Sequence, residues 1–91
     1  MEGLRQFAAR FFELPEDVLL DLPRLTLVGD LQLLVENHRG IRAFRPERIV
    51  IVTSKGELVV SGEGMMVGAV DREAVVVTGR IRQVSFVGGA G

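Results

Sequence analysis

Residues 48–61 read RIVIVTSKGELVVS, Arg48 through Ser61, and this stretch decides the fold class. Two runs rich in Val, Ile and Leu flank Ser54-Lys55-Gly56, a turn signal too short to hold any other element. Strand-turn-strand is the reading, with strands at 48–53 and 57–61. Side chains alternate across a strand, so Ile49 and Ile51 share a face, as do Leu58 and Val60. We expect Ile51 and Val60 on one buried face of this hairpin. Gly56 is expected to serve the turn through its backbone freedom, as Gly62 and Gly79 do at later breaks, with at least one of the three at positive φ.

Working outward, the same signature recurs from Arg24 to Val87. Short apolar runs are predicted as strands at 24–28, 31–36, 41–44, 65–70, 73–77 and 80–87. They are separated by Gly29-Asp30, Asn37-His38-Arg39-Gly40, Pro46-Glu47, Ser61-Gly62-Glu63-Gly64, Asp71-Arg72 and Thr78-Gly79. That spacing leaves no room for crossover helices. The predicted fold is all-β: a compact antiparallel sandwich or roll of seven or eight short strands, with a barrel also open. Gly29, Gly56 and Gly79 each precede a strand, a weak echo of a repeat. Their spacings of 27 and 23 are unequal, which leaves a β-solenoid as a minor alternative.

Before the β region the period changes. Leu4, Phe7, Ala8, Phe11 and Phe12 follow the i, i+3, i+4, i+7, i+8 pattern of one helix face, and Pro15 ends it. The predicted layout is a single domain, 1–91. It comprises an amphipathic helix at 1–14, a connector at 15–23, the β domain at 24–87 and a flexible tail at 88–91. A helix this short is marginal alone and needs a surface to lie against. Ile49–Val52 and Ala74–Val77 also lack a polar face. Either the domain covers both faces internally, for example with the helix, or one face meets another subunit or partner.

Composition excludes several function classes. The chain has no cysteine, which rules out disulfides and thiolate metal sites, and its net charge of −1 gives no global attraction to nucleic acid or anionic lipid. The longest apolar run, Met65–Val70, is far below the ~20 residues of a membrane span. Glu2 and Arg10 interrupt the layout of a signal peptide. A cytoplasmic protein with only indirect membrane association is expected.

His38 is the sole histidine, and with no second soft ligand it does not complete a zinc set. Asn37 and Gly40 beside it favour a shaped turn with left-handed backbone. Asp17 and Asp21, four apart, suit capping or an ion pair, with Arg24 an available counter-ion, better than paired acid–base work. Arg39, Arg42, Arg45 and Arg48 recur every three residues and form the alternative reading, a nucleic-acid or anion site. Strand geometry would split that period over two faces. Gly62-x-Gly64 has no dinucleotide-binding context and reads as a hairpin turn or a bulge. No catalytic set, cofactor site or metal site is predicted.

The motifs supply a resemblance. Pro15, Asp17-Val18, Leu20-Asp21-Leu22-Pro23-Arg24, Gly29 and Glu36-Asn37-His38-Arg39-Gly40 occur in order. Gly56-Glu57-Leu58, Gly62-Glu63 and Gly79-Arg80-Ile81 follow them. Over residues 13–87 the chain resembles the YqfC branch of the YabP/YqfC family, small sporulation proteins of endospore-forming bacteria. The resemblance implies a non-enzymatic assembly or adaptor role in the mother cell with a sporulation membrane protein as partner; the strands without a polar face add self-association, and the charge balance leaves nucleic acid unexpected. Candidate contact residues are Phe7, Phe11, Phe12, Asn37, His38 and Arg39.

Overall fold

The structure is a computed structural model that describes residues 20–88. The predicted helix at 1–14, most of the connector and the tail from 89 onward lie outside the described residues. Within them are six strands: β1 Arg24–Val28, β2 Gln32–Glu36, β3 Ile41–Arg45, β4 Arg48–Thr53, β5 Gly56–Val70 and β6 Ala74–Val87. They form one antiparallel sheet in the order β1-β2-β6-β5-β4-β3. No pairing joins β1 to β3, so the sheet is open rather than a closed barrel. Its antiparallel ladders also replace the solenoid alternative.

The strand number corrects the sequence reading of seven or eight. Segments 57–61 and 65–70 are one strand, and so are 73–77 and 80–87. Of the two readings of Gly62-x-Gly64, hairpin turn or bulge, the bulge is observed, and Gly79 likewise lies within a continuous strand. The β5–β6 register slips between Ser61 and Gly62, between Glu63 and Met66, and between Val67 and Ala69. Gly62 and Gly79 sit where these long strands press together. A Cβ on Gly62 would meet the Arg80 carbonyl oxygen at 2.0 Å, and one on Gly79 would meet the Met65 Cα at 2.6 Å. Gly79 also has φ 129° and Gly56 φ 100°, so the expectation of positive φ holds for those two.

Both neighbouring hairpin turns dock on this irregular zone. Gly62 N donates to Glu47 O at 3.1 Å and Met65 N to Pro46 O at 2.8 Å. Gly79 N donates to Leu31 O at 3.1 Å and Ile81 N to Asp30 O at 2.7 Å. These bonds satisfy backbone donors that the disrupted ladder would otherwise leave unpaired.

The register sorts residues into two faces. On the inward face, β2 contributes Leu33 and Val35, β6 Val75 and Val77, β4 Ile49 and Ile51, and β5 Leu58 and Val60. All eight are fully buried and share one cluster with Met65 and Ile81. Ile51 stands opposite Leu58 and Ile49 opposite Val60, so the predicted hairpin face is the observed one. On the other face of β4 and β5, Val50 and Val59 are buried too. This explains why Ile49–Val52 carries no polar alternation.

Candidate interaction surfaces

The loop between β2 and β3 is a knot of local bonds. Asn37 adopts φ 61° and Gly40 φ 120°, the left-handed geometry its composition favours. The Asn37 side chain reaches away from its own turn and donates to Asp21 Oδ1 and Leu22 O, both at 3.0 Å. Arg39 forms an ion pair with Asp21. The Ser54 hydroxyl donates to the Asp21 carbonyl, which joins the β4–β5 turn to the same point. The Asn37 contact is the first cause holding the Asp21 carboxyl below its ordinary value, with Arg39 assisting.

His38 completes the other side. Gly40 N donates to its Nδ1 at 2.9 Å, so Nδ1 is an acceptor and Nε2 carries the proton. Nε2 donates to Asp71 O at 2.8 Å in the β5–β6 turn. Asp71 Oδ1 in turn accepts from Ala74 N and Glu73 N, each at 2.8 Å, and these two bonds lower its carboxyl below the usual range. Asn37 N bonds Glu73 O at 2.7 Å. Thus Asn37, His38 and Arg39 tie three separated turns together. Both ring nitrogens of His38 are engaged, and among the described residues no group of acidic and imidazole side chains is arranged to hold a metal. An open groove of about 410 Å³ beside the loop is lined by Asp21, Arg24, Glu36, Arg72 and Glu73 among others, a mixture of both charges.

The four arginines are divided. Arg39 is paired with Asp21, and Arg42 reaches Glu57 across β4. Arg45 stands directly opposite Arg48, and among the described residues neither has a carboxylate partner. Phe7, Phe11 and Phe12 lie outside the described residues.

A surface that the sequence reading touched only through Ala74–Val77 lies on the outward face of β1, β2, β6 and β5. Register places Val28, Gln32, Thr78 and Met66 in one row, and Thr26, Leu34, Val76 and Ala69 in the next. None of the eight is charged. Val28 is 59% exposed and Met66 64%. The alternating pattern of Leu25-Thr26-Leu27-Val28 was visible in sequence, but strand order was needed to assemble the rows.

Residues 21–91 match the YabP family. The chain belongs to the YabP family. It is also 33% identical over 84 residues to the uncharacterized protein YqfC of Bacillus subtilis (strain 168), covering 92% of this chain and 90% of that one. No solved structure matches it. The family resemblance drawn from the ordered motifs therefore holds, and the Asp21 to Gly40 motifs of this YabP-family chain are the residues of the loop knot. Among the described residues, no helix is long and apolar enough to cross a membrane.

Proposed function

We propose that this YabP-family chain is a non-enzymatic assembly or adaptor module of endospore formation. It works in the mother-cell cytoplasm and acts by protein contact, with a membrane protein as the natural partner. The observation that carries this reading is the uncharged outward sheet face on which Val28 and Met66 are exposed and Leu34 and Val76 half-buried. Soluble monomers rarely leave such an area unused. The polar motif residues next to it are spent on one another, which suits a rigid scaffold better than a reacting site. Phe7, Phe11 and Phe12 are further candidates for the same contact. A fluorescently tagged copy in a sporulating host tests this directly. The reading expects signal at a mother-cell membrane and fewer heat-resistant spores when the gene is deleted. Diffuse signal in every compartment together with a normal spore count would contradict it.

A second reading, anion or nucleic-acid binding, draws support from the Arg45–Arg48 pair. Like charges directly opposite each other on adjacent strands destabilise a sheet, and an anion bound between them would offset that cost. Neutralisation of Arg39 and Arg42 leaves only half of the proposed site for that purpose.

A further inference from the structure

We infer that the outer edge of β1 is where two copies of this chain pair, antiparallel and centred on Thr26, to extend one sheet across a two-fold axis. This deepens the assembly reading above by naming a partner and a surface.

The two edges of the sheet are unlike. β3, IRAFR, carries Arg42 and Arg45, and its pairing to β4 is broken by a register shift between Ile41 and Ala43. Charge and irregularity are the usual protection of an edge against further pairing. β1, RLTLV, has neither protection beyond Arg24 at its start. Its pairing with β2 is regular over all five residues. Among the described residues, no strand meets its outer side.

The core also stops short at β1. Leu27 lies opposite Leu33 on the inward face, yet it is 52% exposed, and among the described residues no strand lies beyond it. Leu25, on the same face, is only partly buried against the cluster. In a two-fold antiparallel pair centred on Thr26, all five residues find a counterpart. Leu25 faces Leu27 of the second copy, Leu27 faces its Leu25, and Thr26 faces Thr26. The axis runs normal to the sheet, so the inward face of one copy continues that of the other and both leucines are covered. Cross-strand Leu and Thr pairs are favourable. Arg24 would lie opposite Val28 of the second copy. The two Arg24 side chains would stand at opposite ends, about 13 Å apart at the usual rise per residue.

Such pairing closes on itself. A contact between β1 of one copy and β3 of the next would propagate into a filament instead. Arg42, Arg45 and the break in β3 oppose that outcome. Two five-residue edges bury less than the roughly 1,200 Å² of a standard stable interface. The pair is therefore a concentration-dependent dimer rather than an obligate one.

The chain contains no cysteine, so a single introduced thiol reports unambiguously. Directly opposed residues of an antiparallel pair have Cα atoms about 4.5–5.5 Å apart, within disulfide reach. Under mild oxidation the full-length Thr26→Cys protein should form a covalent dimer, whereas Ala43→Cys on the β3 edge should not. Thr26 is exposed, so Thr26→Lys should fold normally. It should shift sedimentation equilibrium at high concentration from dimer toward monomer, with thermal stability at low concentration unchanged. Equal crosslinking at both edges, no crosslink at Thr26, or a wild-type protein monomeric at every concentration would overturn the pairing. In the last case, a deletion strain that still lacks heat-resistant spores would leave the assembly reading standing without it.

Discussion

Ile51→Ala tests the core most sharply. Ile51 has no exposed surface, and it lies between Ile41 on β3 and Leu58 on β5. The change removes three carbon groups, worth about 0.8 kcal/mol each in lost burial, or about 2.4 kcal/mol together. The space left cannot close fully, because the neighbouring side chains of Ile41 and Leu58 are carried on strands held in register on both sides. A residual cavity of roughly 60 Å³ at about 24 cal/mol per Å³ adds about 1.4 kcal/mol. The expected loss is therefore about 2.4 to 4 kcal/mol, a large part of a small domain's roughly 5–15 kcal/mol. With a urea slope of about 1 kcal/mol per molar, the unfolding midpoint should fall by about 2 to 4 M. Equilibrium urea unfolding, followed by circular dichroism, measures this. Val28→Ala, on the exposed outward face, is the control and should move stability by about half a kcal/mol or less. A loss below half a kcal/mol at Ile51 would refute the inward assignment of this face.

Gly62→Val should unfold the domain or lower its melting temperature steeply, because the new Cβ would collide with the Arg80 carbonyl; a near-native melt contradicts the close approach of β5 and β6. Acidification should loosen the loop knot. Asp21 and Asp71 both have carboxyls held below the ordinary 3.8, so their contribution is present at neutral pH and is lost as pH falls through their lowered values. Carbon-detected NMR titration should place both midpoints under 3.8, and a midpoint above it at either residue would contradict the bonding described.

The 48–61 hairpin was legible because its two apolar runs and its turn are contiguous, so alternation alone identifies the buried face. The bends in β5 and β6 were not. Ser61-Gly62-Glu63-Gly64 and Thr78-Gly79 carry the same signal whether glycine reverses a chain or lets two strands approach closely. What decides between them is the opposite strand. The left-handed backbone of Asn37 and Gly40 was readable from composition. Their partners were not: Asp21 lies 16 residues from Asn37, and Asp71 lies 33 from His38. Arg39 rather than Arg24 forms the ion pair seen with Asp21, for the same reason. The exposed face and the unprotected β1 edge emerge only from strand order, since Val28, Gln32, Thr78 and Met66 come from four different strands.

The most direct test of the assembly reading is complementation of a deletion strain, scored as heat-resistant spores. Two double variants, each first shown to fold, are compared. Met66→Lys with Ala69→Lys places charge on the outward face, away from the β1 edge. Arg45→Ser with Arg48→Ser removes the unpaired cationic pair. If protein contact through the uncharged face is the function, the lysine variant fails and the serine variant restores spores to the wild-type count. Full restoration by the lysine variant, with failure of the serine variant, would contradict the assembly reading and favour anion binding.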